Sequence, residues 1–338
     1  MSKYRIATIP GDGIGPEVMS AVVSVLEALA DTQGDLNLDI VELQAGDAVK
    51  ARTGVALPSE TFESVKNSDA CLFAAVGETS REVILPLRQR LDLYANVRPA
   101  KAYPNVPSLK EGVDLVIVRE NTEGLYKMLG DRGPDYGFDI RVITRAASER
   151  IARFAFDLAR REARGKVTCV HKANVLVKTC GIFREACWGV SKSYPGIDYE
   201  EQIVDACAMR LILAPGEFDV LVTTNMFGDI LSDEAAGLVG GLGMAPSGNI
   251  GEKNAIFEPV HGTAPDIAGK GIANPMATML SAGMMLDWLG EQECSRIVDE
   301  AVIEVLKEGK TLTPDLGGSA NTIQVAKAVV EKLTQKEF

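Results

Sequence analysis

No apolar run in this 338-residue chain reaches about 18 residues before a charge or a glycine interrupts it, so no membrane-spanning helix is expected. The first residues also lack the basic-then-apolar pattern of a secretion signal, which predicts a cytoplasmic protein. Six cysteines contain no Cys-x-x-Cys pair, and only two histidines could join them at a metal. Reduced, mostly buried thiols are expected, not disulfides or zinc ligands. Positive charge is scarce: a formal net charge of −12 disfavours nucleic acid and anionic lipid as partners, because clustered Lys and Arg hold such surfaces. Blocks of like charge, low-complexity segments and repeats of about 20 to 50 residues are missing too, which argues against tails and solenoids.

What is present is an ordinary globular balance, 46% apolar and 24% charged, at a length that suggests about two structural units. Tyr4 to Ile9 reads as a strand, Gly11, Asp12, Gly13 and Gly15 as a loop, and Val18, Val22, Val25, Leu26 and Leu29 as one face of a helix. Short apolar runs at Ala70–Val76, Leu115–Val118, Val167–Val170 and Val220–Val222 read as buried strands, with helical periods between them. One helix is expected to start at Ser148 as N-cap, to stack Ile151, Phe154, Ala155 and Leu158, and to end near Gly165. The alternation predicts an α/β layered fold with a largely parallel sheet. Ala100–Gly112, Gly130–Asp139 and Gly240–Lys253 read as loops, the first and third as candidate domain crossings.

Gly11, Gly13 and Gly15 are spaced G-x-G-x-G, not G-x-G-x-x-G, so a turn needing positive φ is expected there and not a Rossmann site. Arg88, Arg98 and Arg119 would, if they converge, clamp a dicarboxylate bidentately; taken singly, each reads as a surface ion-pair residue. Asp229 and Asp233 are four apart, so a helix places both on one face, where a divalent cation would relieve their repulsion. Their oxygens suit Mg²⁺ or Mn²⁺; alone, the spacing equally describes a solvated helix face. Lys172 follows a strand-like run and is a candidate base; Tyr126 is a candidate proton donor. Glu258 to Asp266, rich in Gly, Ala and Pro, reads as adenosine-binding or as a proline-stiffened loop.

Together these segments resemble the β-decarboxylating dehydrogenases that act on isopropylmalate, isocitrate, homoisocitrate, tartrate and D-malate, and most nearly the archaeal isopropylmalate type. The resemblance runs from Ile9-Pro-Gly-Asp-Gly-Ile-Gly-Pro-Glu to Thr313-Pro-Asp-Leu-Gly-Gly, through Asp-Leu-Tyr-Ala-Asn-Val-Arg-Pro at 92–99, Val-Arg-Glu-Asn-Thr-Glu-Gly-Leu-Tyr at 118–126, Asn225-Met-Phe-Gly-Asp-Ile-Leu-Ser-Asp233 and His261-Gly-Thr-Ala-Pro-Asp266. It implies a two-domain α/β fold with a large shared mixed sheet, not Rossmann, with 1–92 and 240–338 in a nucleotide-side domain and 93–239 in a dimerising, catalytic one. It implies a homodimer or higher oligomer with shared sites, in which Lys172 and Asp205 serve the partner's site.

By the same resemblance, Arg88, Arg98 and Arg119 hold the malate carboxylates, and Asp229, Asp233 and the other copy's Asp205 hold Mg²⁺. Lys172 takes the C2 hydroxyl proton and Tyr126 protonates C3 after CO₂ leaves. Asn174, Glu258, His261, Gly262, Ala264, Asp266 and Asn274 match nucleotide contacts, and a carboxylate at 266 favours NAD over NADP. The segment before Arg88 carries Ile84 and Leu85, an apolar pair suited to an isopropyl group, so 3-isopropylmalate and leucine biosynthesis are expected. Arg81 stands one turn before Leu85, and if it turns inward, homoisocitrate or isocitrate becomes the substrate. A noncatalytic regulatory subunit is disfavoured, because such subunits typically lose catalytic positions that are present here.

Overall fold

A computed structural model describes residues 2–335. The chain divides into two compact units. One joins the described residues through Leu91 to Tyr103–Ser108 and to those from Gly240 onward; the other is Asp92–Ala102 with Leu109–Val239.

The first unit opens with β1 (Ser2–Gly11), α1 (Gly15–Thr32), β2 (Leu36–Glu42), α2 (Asp47–Thr53), α3 (Ser59–Lys66), β3 (Ala70–Ala75) and α4 (Ser80–Arg90). The second contains β4 (Ala95–Lys101), β5 (Asp114–Glu120), β6 (Gly124–Arg132), β7 (Gly137–Val142), α5 (Arg145–Arg161), β8 (Lys166–His171), α6 (Thr179–Ser191), β9 (Asp198–Ile203), α7 (Val204–Leu213), β10 (Val220–Thr223) and α8 (Asn225–Leu238). The chain then returns to the first unit with β11 (Pro246–Ile250), β12 (Ala255–Pro259), α9 (Met276–Trp288), α10 (Gln292–Glu308) and α11 (Thr322–Gln335).

Strand order in the first unit is β2-β1-β3-β12-β11, parallel except for the antiparallel β11–β12 pair. In the second it is β4-β5-β10-β8-β9, parallel except for β4–β5. The α/β class and the mixed sheet expected from the sequence are present. Every residue of β3 and β10 is buried, as parallel strands covered on both faces require. The apolar face of α1 (Val18, Val22, Val25, Leu26, Leu29) is wholly buried.

The Gly11–Gly15 loop is a tight turn. Gly11 and Gly13 have φ of +69° and +62°, and a Cβ on Gly11 would fall 1.8 Å from the Ala75 carbonyl oxygen. All six cysteines are buried and unbridged. No helix among the described residues is long and apolar enough to cross a membrane.

Four expectations change. The cap of α5 is Thr144, whose side chain accepts from the Ala147 N–H; Ser148 lies one turn in, and the helix ends at Arg161. Gly130–Asp139 is not a loop throughout but the tip of a β6–β7 hairpin, with only 133–136 outside its strands. Within Gly240–Lys253 lies the fully buried strand β11. The α5 face is also rotated slightly from the one expected: Phe156 is fully buried, whereas Phe154 stays partly exposed against Tyr94.

Candidate active site

In the second unit, antiparallel pairing of β4 and β5 sets Arg98 opposite Ile117 and Asn96 opposite Arg119. The helix α8, which follows β10, runs beside both strands. Arg119 is 1% exposed, and its Nε and Nη2 donate to Asn225 Oδ1 at 3.0 and 2.7 Å. Its Nη1 donates to Asp229, which also accepts from the Tyr126 hydroxyl. The Arg119 guanidinium lies 5.2 Å from the centre of the Tyr126 ring. Close approach of α8 depends on Gly228, where a Cβ would sit 2.6 Å from the Arg119 Cβ.

Arg98 donates from Nη1 to Ser232 Oγ at 2.7 Å and to Asp233 Oδ1 at 3.1 Å, and stands 3.5 Å from Asp229. Arg98, Arg119, Tyr126, Asp229 and Asp233 are therefore one cluster. Asp229 and Asp233 share a helix face as their spacing requires. Burial raises the pKa of Asp233, Arg98 opposes the rise, and the Asp229 charge adds to it. Paired hard oxygens that repel one another fit a divalent cation, which would take over charge neutralisation from the two arginines.

Lys172, directly after β8, forms a second group: its Nζ donates to Asp205 Oδ1 at 2.6 Å. That bond is the leading cause of the lowered pKa of the exposed Asp205 carboxyl. No group of three His, Cys, Asp or Glu side chains that could hold a metal occurs among the described residues. Asn174 lies on an exposed turn of this same unit.

The first unit carries the remaining candidates. Arg88, near the end of α4, donates from Nη2 to Glu258 Oε1 at 2.7 Å, and Asn249 Nδ2 donates to the same oxygen at 2.7 Å. The Arg88 Nε is buried with no hydrogen-bond partner. Ile84 is buried, Leu85 half-buried, and Arg81 exposed. Glu82 pairs with Lys50 at 2.6 Å. Arg88 and Arg98 are 8% and 9% exposed, so none of the three arginines is the surface residue each seemed when taken alone; every one is buried against polar partners.

After β12 the chain runs without regular structure through His261, Gly262 and Ala264 to a turn at Asp266, which is exposed. His261 Nδ1 lies 3.0 Å from the Gly262 carbonyl oxygen, while its Nε2 is buried and unpartnered. Burial lowers the His261 pKa and so favours the neutral ring. Ala264 has φ +40°, a strained conformation for a residue with a side chain. An orphaned ring nitrogen beside exposed loop backbone fits a nucleotide that supplies the missing partner. Asn274 is spent locally: its Nδ2 donates to Asp315 Oδ2 at 3.0 Å and its Oδ1 accepts from the Met276 N–H at 3.0 Å.

Asn225, Ser232 and Asn249, which accept from or donate to Arg119, Arg98 and Glu258, carry no signal of that role in residue type or spacing. Asn225 and Ser232 stood inside a quoted motif; Asn249 stood in a stretch read as loop, which hid it.

A family model described as isocitrate/isopropylmalate dehydrogenase matches residues 5–332. The chain is 55% identical to the 3-isopropylmalate dehydrogenase of Archaeoglobus fulgidus, covering 97% of this chain and 99% of that one. It is 53% identical to the isocitrate/homoisocitrate dehydrogenase of Thermus thermophilus, covering 98% of each. The crystal structure of isocitrate dehydrogenase from Methylococcus capsulatus superposes with a TM-score of 0.92 at 46% identity, over 98% of this chain and 100% of that one. With a family match over nearly the whole length and relatives more than half identical over nearly all of both chains, the chain belongs to the isocitrate/isopropylmalate dehydrogenase family.

Proposed function

We propose that this protein catalyses the NAD- and Mg²⁺-dependent oxidative decarboxylation of 3-isopropylmalate to 4-methyl-2-oxopentanoate, a step of leucine biosynthesis. The observation that carries the substrate choice is on α4: Ile84 and Leu85 lie one helical turn before Arg88, whereas Arg81 is exposed. An apolar pair next to a guanidinium suits a branched alkyl group next to a carboxylate.

In this reading Arg88, Arg98 and Arg119 hold the substrate carboxylates. Asp229 and Asp233 hold the metal with Asp205 from a second copy. The metal, when bound, would supply Lewis acidity at the substrate hydroxyl oxygen, and bound NAD would be the hydride acceptor. Lys172 takes the C2 hydroxyl proton. Tyr126, already hydrogen-bonded to Asp229, delivers a proton to C3. Tyr126→Phe is expected to lower kcat with little change in substrate binding, and weakened binding at unchanged kcat would remove that role. Asn174, Glu258, His261, Gly262, Ala264, Asp266 and Asn274 are assigned to the nucleotide, with Asp266 disfavouring a 2′-phosphate. In this reading the first unit supplies most of the nucleotide contacts, and the second the metal, proton-transfer and dimerising residues.

A second reading, homoisocitrate or isocitrate as substrate, is favoured by one fact: a relative named for those substrates is 53% identical, against 55% for a 3-isopropylmalate enzyme. Initial rates with Mg²⁺ and either NAD or NADP, compared as kcat/KM on 3-isopropylmalate, homoisocitrate, isocitrate and D-malate, decide it. A lead of tenfold or so for 3-isopropylmalate with NAD supports the proposal; a lead for a tricarboxylate, or for NADP, overturns the corresponding part.

A further inference from the structure

The Gly11-Asp12-Gly13 turn has no part in the chemistry above, yet its carboxylate is fully engaged. Asp12 Oδ2 accepts from the Asp47 N–H at 2.8 Å and the Gly77 N–H at 3.2 Å, and Oδ1 from the Ala48 N–H at 3.2 Å. It thereby satisfies the first turn of α2. Asp47, the first residue of that helix, repeats the device one element further on. Its Oδ1 accepts from the Thr79 N–H at 2.8 Å and the Thr79 hydroxyl at 2.6 Å, and its Oδ2 from the Glu78 N–H at 3.0 Å.

Those donors are the entry to α4, which has no side-chain cap of its own. The helix is also weak in its interior, because Pro86 removes a backbone donor at its seventh residue. The glycines around the two carboxylates are shaped for them. A Cβ on Gly46 would meet Asp12 Oδ2 at 2.3 Å, and one on Gly77 would meet Asp47 Oδ2 at 2.1 Å. A second tie, Lys50 to Glu82 at 2.6 Å, joins the same two helices at the surface.

We propose that Asp47 is a positioning residue that fixes the start of α4 and, through it, the selectivity for the substituent on substrate C3. The inference rests on the reading that α4 faces that substituent with Ile84 and Leu85. A helix advances about 1.5 Å per residue, so a shift at Glu78–Thr79 is carried along its first turns to Ile84 and Leu85, which precede Pro86. The lowered pKa of Asp47, caused first by the Thr79 hydroxyl, agrees with a carboxylate held ionised in this role.

The test uses the full-length protein with Mg²⁺ and NAD. The kcat/KM ratio of the preferred 3-substituted malate to D-malate, which lacks that substituent, is measured for Asp47→Ala and Asp47→Asn, beside amide hydrogen exchange. Asp47→Ala is expected to reduce the ratio about tenfold, the scale of one methylene of apolar fit, and to speed exchange at Glu78–Val83. Asp47→Asn, which keeps an acceptor for Thr79, recovers part of both. If Asp47→Ala does not fold, Thr79→Val removes the hydroxyl bond alone and is expected to move both readouts in the same direction. Faster exchange with an unchanged ratio overturns the selectivity role, and unchanged exchange overturns the positioning role. Equal loss on both substrates marks general damage and also overturns it. Leu85→Ala separates the two levels: if it leaves the ratio unaltered, the reading of α4 fails, whereas if only Leu85→Ala alters it, the role of Asp47 fails.

Discussion

Arg119 is a full positive charge almost out of reach of water, and three of its donated bonds go to two acceptors on one helix, Asn225 and Asp229. Asn225 in turn donates to the Glu123 carbonyl oxygen at 3.2 Å, which fixes the amide so that its oxygen faces the guanidinium. Asn225→Leu keeps the volume and deletes the acceptor, leaving a buried cation short of partners. A loss of about 2–3 kcal/mol is expected, read as a lower urea midpoint at unchanged slope. None of this was legible from residue type: Arg119 and Asn225 are 106 positions apart, and only the fold makes the arginine a buried residue.

The two histidines offer a pH test. Burial lowers the pKa of both His171 and His261 below the 6.5 of a free imidazole. The unfolded chain therefore takes up protons at a higher pH than the folded one. Their contribution to stability is complete above 6.5 and is lost as pH falls through the folded values. Tm should accordingly fall between about pH 7.5 and pH 5.5, and His171→Gln should flatten that fall. A Tm that rises on acidification over this window contradicts the assignment.

At the scale of elements, the sequence was informative where one periodicity and one burial pattern coincide. The α1 face and the strands β3, β5, β8 and β10 read correctly because their apolar residues face covered surfaces. The β6–β7 hairpin did not, because Gly130, Gly133, Pro134 and Gly137 punctuate it and the alternation of Phe138, Ile140 and Val142 with Asp139 and Arg141 begins only at its end. Strand β11 escaped because Pro, Ser, Gly and Asn are poor strand formers, and its burial follows from antiparallel pairing with β12. At α5, two hydroxyl residues four apart compete for the cap. Thr144 prevails because Glu123 grips it twice, accepting from its N–H and from its hydroxyl, each at 2.8 Å. Thr144→Ala should destabilise the protein by about 1 kcal/mol or more in urea unfolding, and Ser148→Ala by less. The reverse order would return the cap to Ser148.

At the scale of the molecule, the α8 carboxylate pair and the Lys172–Asp205 pair are separate groups, and neither alone makes the proposed site. The second unit also exposes large apolar side chains on neighbouring helices: Met209, Ile212 and Leu213 on α7, Met226 and Ile230 on α8. A face of this kind is expected to be covered by a second copy, and a twofold interface that brings α7 of one chain to α8 of the other would join the two groups in pairs. Complementation tests this directly. Lys172→Met and Asp229→Asn chains should each be inactive alone, because every site in either homodimer lacks one essential group. A hybrid dimer has one site with a normal α8 pair facing a normal Lys172, and one site with both defects. Random reassortment makes half the dimers hybrids, so an equal mixture that is co-expressed or refolded together should regain about a quarter of the normal rate. If the mixture stays as inactive as its components while running as a dimer, Lys172 acts within its own chain and the shared site is wrong.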